Sequence, residues 1–304
     1  MLFLREDIIL RNKFLVSCLT LFFLISCSFR PSEPLRISTN LWIGYSPFFY
    51  IQQKGWLNES NIEILNVVSL SESMQIYESG FVDAFTGTEY EFKRIQKKVP
   101  DLEPIILLDR SLGGDIVMGN YDIATLQKAQ KIDVYLEVDS ISKVLLNCFT
   151  ELYDINESVL HLINKDTDDS SMLTMKEEPT LIITYLPYDI LLKKNGYQVL
   201  DTTKNLSLFV MDALYTDSET RKKYAKEFAV LNQLIAKALN NLKNDPEEYF
   251  STVQVFFKYK DKNAFFEALD SIEWIYPDRS RELMKQLDVH HIPSKNILDA
   301  ADEF

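Results

Sequence analysis

The chain has 304 residues, 46% of them hydrophobic and 12% aromatic, enough to build substantial cores in two domains of ordinary size. Its 45 acidic and 32 basic residues leave a formal charge of −13, and no basic run carries interleaved aromatics. Such a surface repels a phosphate backbone, which excludes nucleic acid as a partner.

Residues 1–26 read as an export leader. Arg5, Arg11 and Lys13 precede an apolar run over 14–25 that only Ser17, Cys18 and Thr20 interrupt. A run of about a dozen residues is the length of a signal-peptide core and short for a membrane span. It ends Leu24-Ile25-Ser26-Cys27, which resembles the bacterial lipobox. That resemblance implies that Cys27 is lipidated and anchors the chain to a lipid bilayer, with two acyl chains enough to hold it. Residues 27–34 then form a short tether. Once the leader is gone and Cys27 modified, Cys148 is the one thiol left, so no internal disulfide is expected. Cys148 sits in an apolar run and reads as a buried, inert thiol.

The fold begins at residue 35. Leu35, Ile37 and Thr39 alternate with Arg36, Ser38 and Asn40, the period-two pattern of a strand. The pattern breaks at Trp42, Gly44 and Tyr45; Pro47 suits the first position of a helix and Gly55 its stop. A strand over 62–68, a helix capped by Ser71 and reaching Ser79, and a strand over 82–86 follow. The turn Thr86-Gly87-Thr88 leads into a helix bearing Glu91, Phe92, Ile95 and Val99, stopped by Pro100. Strand and helix in alternation predict parallel strands with crossover helices, whose ligands bind beyond the carboxyl ends of the strands. Trp42, Tyr45, Thr86, Gly87 and Thr88 fall at such ends.

Three pieces in this order, Trp-x-Gly-Tyr-x-Pro at 42–47, Lys54-Gly55-Trp56-Leu57 and Ser79-Gly80-x-Val82-Asp83-Ala84, resemble the N-terminal lobe of ABC-transporter solute-binding proteins. The likeness is to the branch that serves nitrate, sulfonates, taurine and thiamine-precursor pyrimidines. It implies an α/β chain with the type II periplasmic binding protein fold. That fold has two lobes, each a mixed, mostly parallel sheet flanked by helices. Two crossover strands join the lobes, which close on a ligand held between them. The resemblance also implies that lobe 1 is 35–115 and 212–304 and lobe 2 is 116–211. A strand over 102–108 and a turn over 109–114 lead to the crossing, and Asp115 opens a short strand there.

The second lobe continues with a helix over 125–129, a strand over 132–138, and Asp139 and Ser140 capping a helix over 141–153. A helix N-terminus offers free backbone N–H groups to an anion, which makes Ser140 a candidate and leaves Asp139 a plain cap. A strand over 180–185 runs into Tyr185-Leu186-Pro187-Tyr188. This run resembles the family's second-lobe segment, where an aromatic and a proline sit at the ligand mouth, so Tyr185 and Tyr188 join the candidates. Leu186 stands where relatives often carry an acid, and ligand identity therefore does not carry over. The return strand is read over 206–214, with Asp212 interrupting it; a charge there needs a partner or a wet cleft. Ser218 is read as the cap of a long helix to 242, and Pro246 opens packed helices to the end.

Nothing in the chain reads as catalytic: G-x-S-x-G, H-E-x-x-H and phosphate-loop patterns are missing. Asp166-Thr167-Asp168-Asp169-Ser170 lacks the glycine and distal glutamate of a calcium loop, and His290-His291 lacks a third ligand. No cofactor or metal is expected. The expected function is capture, by a monomer, of a small organic or anionic solute outside the cytoplasmic membrane and its delivery to an ABC permease and ATPase. A sensing module and an enzyme on the same fold are the alternatives, the second disfavoured by the export signal. Trp42, Tyr45, Tyr185 and Tyr188 fit a planar ring. A small oxyanion would instead favour basic and hydroxyl donors, and Arg110 is the one basic residue near the predicted mouth.

Overall fold

The computed structural model describes residues 33–298, except 207, 258, 260 and 277–279. The leader, Cys27 and most of the tether lie outside the described residues. Among the described residues no helix is long and apolar enough to cross a membrane.

In chain order, β1 (Leu35–Thr39) leads through a 3-10 turn at Ile43–Tyr45 into α1 (Ser46–Gln53), with Pro47 in its first turn. Then come β2 (Ile62–Asn66), α2 (Leu70–Glu78), β3 (Ala84–Thr88), α3 (Glu89–Gln96) and β4 (Glu103–Ser111). The chain next enters a second sheet through β5 (Asp115–Gly119), α4 (Ile123–Leu126), β6 (Ile132–Leu136), α5 (Ser142–Leu152) and β7 (Leu160–Asn164). That sheet continues with α6 (Thr167–Ser171), β8 (Thr180–Tyr185), α7 (Asp189–Lys194) and β9 (Gln198–Thr202). The return is β10 (Met211–Thr216), followed by α8 (Ser218–Lys223), α9 (Ala225–Asn244), α10 (Pro246–Phe257), α11 (Lys262–Leu269), β11 (Ile272–Trp274) and α12 (Arg281–Val289).

The first sheet has the order β11-β4-β10-β3-β1-β2 and the second β7-β6-β8-β5-β9. Both are mixed. β1 is parallel to β2 and β3, and β6 to β7 and β8, as crossover helices require. The strands next to the two passages, β10 and β5, run antiparallel to their neighbours. Helices α9 and α10 pack on α1, where Tyr50 stacks on Tyr249 at 4.5 Å and Phe49 meets Phe256 and Phe257. β11 closes one edge of the first sheet, beside β4.

The structure moves several predicted boundaries. Thr86-Gly87-Thr88 is not a turn: β10 pairs along it, with Leu214, Ala213 and Asp212 opposite, and keeps it extended. Residues 109–111 belong to β4 for the same reason, Arg110 lying between Met211 and Glu273. The return strand starts at Met211, not 206. Ser69, not Ser71, caps α2: its hydroxyl accepts from Glu72 N at 3.0 Å, and Glu72 reaches back to Val68 N at 2.8 Å. The helix read from Ser218 to 242 is two, α8 capped by Asp217 and α9, parted at Tyr224. Cys148 is half-buried on α5.

Candidate ligand-binding cleft

Strand register builds the site. Thr88, Asp212 and Asp109 face one another across β3, β10 and β4, and aligned partners in a sheet share a face. Across the second sheet, Asp115 on β5 is opposite Tyr185 on β8. One cavity brings these rows together. Trp42, Tyr45, Thr88 and Asp212 line it from the first lobe, and Asp115 and Tyr185 from the second-sheet strands. Asn40 and Leu70, which the sequence did not single out, line it as well. The cavity holds about 10 Å³, room for roughly one water molecule, so the lobes are drawn together.

Hydrogen bonds fix the walls. Trp42 Nε1 donates to Asp109 Oδ1 at 3.0 Å, and Tyr45 Oη donates to Asp212 Oδ1. Asn40 Nδ2 donates to Tyr185 Oη at 2.8 Å, a bond from one lobe to the other. The Trp42 ring meets Tyr185 edge-on at 5.9 Å. Two glycines make room for this arrangement. A Cβ on Gly44 would fall 2.1 Å from Asp109 Oδ2, and one on Gly114 would fall 2.3 Å from Trp42 Cη2.

The other candidates lie elsewhere. Thr86 is buried within β3, its hydroxyl donating to Thr39 Oγ1 at 3.0 Å, and Gly87 is paired with Ala213. Tyr188 stands edge-on behind Tyr185 and lines a separate crevice with Leu41, Pro187 and Phe256. Ser140 donates to the Glu137 carbonyl and accepts from Ser142 N at 3.2 Å, local bonds one residue ahead of the N-cap Ile141. Asp139 forms a 2.8 Å ion pair with Arg94. The N-terminus of α5 is engaged by the protein itself: Ile141 N donates to Glu91 Oε1 at 3.1 Å. Glu91 Oε2 meanwhile accepts from Thr88 N at 3.0 Å and from the Thr88 hydroxyl. Arg110 points away from the cavity, paired with Glu273 and lying over Phe209, against which His290 also stacks.

The electrostatics are one-sided. Burial pushes the carboxyl of Asp109 up to about 8, Glu89 to about 8, Glu137 to about 7 and Asp115 to about 6, with neighbouring acids adding to it. Asp212 goes well above the usual carboxylate range, first by burial and then by the charge of Asp109. Glu91 is raised by burial too. Asp109 Oδ2, Asp115 Oδ2 and Asn40 Oδ1 are buried and accept no hydrogen bond from the protein. Among the described residues no Lys, Arg or His lines the cavity. Among the described residues no group of three or more His, Cys, Asp or Glu is arranged to hold a metal.

No family model matches the chain, and no curated protein matches it either. Solved structures do. The alkanesulfonate-binding protein SsuA from Xanthomonas axonopodis pv. citri, bound to MOPS, superposes with a TM-score of 0.67 at 12% identity over 90% of this chain and 98% of its own. The ligand-binding component of an ABC-type import system from Staphylococcus aureus, with zinc bound, gives 0.65 at 13% identity, covering 88% and 94%. The periplasmic nitrate-binding protein NrtA from Synechocystis PCC 6803 gives 0.58 at 11% identity, covering 78% and 69%. Likeness at such identities is likeness of fold: the chain has the two-lobed periplasmic binding protein fold.

Proposed function

We propose that this two-lobed chain is an extracytoplasmic solute-binding lipoprotein that takes up a small solute between its lobes and hands it to an ABC permease and its ATPase. The observation that carries this reading is the cavity itself. Its walls come from both sheets, closed by the Asn40–Tyr185 hydrogen bond and the Trp42–Tyr185 contact. A site divided in this way must part from the drawn-together form to admit a solute and grips it as the halves meet around it. The hinge is the pair of passages between the sheets, where Thr203 Oγ1 accepts from Gly113 N at 2.9 Å and lies 2.9 Å from Ser111 Oγ. We place lobe 1 at 35–114 and 211–304 and lobe 2 at 115–210, one residue earlier at each crossing than the resemblance implies because β5 and β10 begin at Asp115 and Met211, with Trp42, Tyr45, Thr88, Asp115, Tyr185 and Asp212 as ligand contacts. Cys27 is the proposed lipid anchor on the outer face of a bacterial membrane.

The test is ligand-dependent ATP hydrolysis by the partner permease complex in proteoliposomes, together with X-ray scattering of the chain. A solute that both compacts the chain and stimulates hydrolysis supports transport. Compaction with no stimulation overturns transport and favours sensing. Cys27→Ser is expected to abolish palmitate labelling and membrane partition; labelling that persists overturns the anchor.

A further inference from the structure

We infer that the ligand of this cleft is a small organic cation, bound by an ammonium or protonated amine against Asp115 and Asp212 and walled by Trp42, Tyr45 and Tyr185. This rests on the reading of the cleft as a solute site and adds its chemical class. Charge is the first support. Asp115 and Asp212 line the cavity, Asp109 lies just beneath Trp42, and among the described residues no basic side chain lines the cavity to offset them. An oxyanion needs converging donors and positive charge, and here it would meet buried carboxylates instead.

The second support is the set of free acceptors. Asp115 and Asn40 are 7% and 1% exposed, both line the cavity, and Asp115 Oδ2 and Asn40 Oδ1 accept nothing from the protein. Buried acceptors without donors are uncommon in folded proteins, and an N–H-bearing ligand supplies what they lack. The aromatic walls agree, because the electron-rich faces of Trp and Tyr attract a desolvated cation. Of the backbone donors at the start of α5, Ile141 N is engaged by Glu91 and Ser142 N by the Ser140 hydroxyl. A metal ion fits less well, since no cluster of three ligating side chains is assembled among the described residues. The carboxylates' raised proton affinity is consistent with this reading: in the empty cleft, bound protons replace the positive charge that a ligand would bring.

The experiment is calorimetry and thermal melting on the full-length chain in mild detergent. The probes are methylammonium, ethanolamine and 1,4-diaminobutane, against nitrate, methanesulfonate, uracil and zinc alone. At least one organic cation is expected to bind, and Asp115→Asn or Asp212→Asn to weaken it tenfold or more. The titratable groups that line the cavity are Asp115 from β5, Asp212 from β10, Tyr45 and Tyr185, and the charges that reach them come from Glu89 and Glu91 on α3, Asp109 on β4 and Glu137 after β6. Lys93 is the cation felt by Glu89. Protonation of these acids competes with the ligand, so its affinity is expected to fall as pH drops from 8 to 5. Tightest binding of nitrate, methanesulfonate or uracil overturns the cation class and leaves solute capture standing. Binding of zinc alone overturns the organic cation. No binding by any probe overturns both readings. Both Asn variants keep side-chain size, and an empty variant that melts no lower than the parent marks its carboxylate as held for a ligand. A clearly lower melting point for both marks structural carboxylates and overturns the assignment.

Discussion

Trp42 carries the cleft and much of the packing around it. It is 4% exposed, donates to Asp109 and lies flush against Gly114. A wetted cleft residue could be truncated at little cost to the empty fold; this one cannot. Trp42→Ala is expected to cost about 3–5 kcal/mol of folding stability and to weaken ligand binding as well, read by urea melts and titration. Gly114→Ala drives a methyl into the same indole and is expected to cost about 1–3 kcal/mol while displacing Trp42 from the cavity wall, read the same way. Trp42 and Tyr45 were legible as a motif, and Asp212 as a charge in an apolar run. Asn40 was not, because it continues the polar positions of β1 and reads as an exposed strand end. Asp109 looked like a turn residue, and Glu91 carried no signal beyond its place in a helix. Their burial comes from partners far away in the chain, which local patterns do not report.

At the scale of elements, the contact between α3 and α5 works as a latch. Glu91 holds the cap of α3 with one oxygen and the first free amide of α5, on the other lobe, with the other. Leu70, Ile141 and Val210, with Tyr90 and Val144 against them, form a small apolar seam beside it. A carboxylate at a helix N-terminus contributes about 0.3–1 kcal/mol, up to about 2 when partly buried. Glu91→Gln keeps the shape and removes the charge, so the free chain is expected to populate more open forms. Its radius of gyration without ligand should exceed the parent's; an unchanged scattering curve assigns Glu91 to capping alone. Element types followed well from the sequence where a signal was strong: alternation in β1, an apolar run in β8, and Pro47 and Gly55 around α1. β3 and β4 were cut short because their ends are held by β10, over a hundred residues later. β9, largely exposed, and β11, three residues long, carry too little pattern to be seen.

For the whole molecule, the buried acids set a pH response. Their folded-state values lie above those of an unfolded chain, about 3.9 for Asp and 4.3 for Glu. From about pH 4 up to 8 the folded state therefore binds more protons, and stability falls as pH rises. It is fully present below the unfolded values and is lost as pH climbs through about 6 for Asp115, 7 for Glu137 and 8 for Glu89 and Asp109. Each extra proton held by the fold contributes a slope of about 1.4 kcal/mol per pH unit. At this size that lowers the melting temperature by about 2–4 °C for each kcal/mol. Calorimetric scans of the empty chain at pH 5 to 8 and constant ionic strength are expected to show a steady decline. A melting temperature that rises over this range contradicts the burial of these groups.

The order of strands also decides when each half can form during synthesis. β3 and β4 are not neighbours; β10 lies between them, and it is made only after every strand of the second sheet. While the ribosome completes residues up to Thr202, the second sheet has all five of its strands and the first still lacks its centre. The inserted half is thus free to fold first, whereas the earlier-made half waits with two apolar strand edges unpaired. A nascent-chain proteolysis series is therefore expected to protect residues 115–202 before residues 35–111.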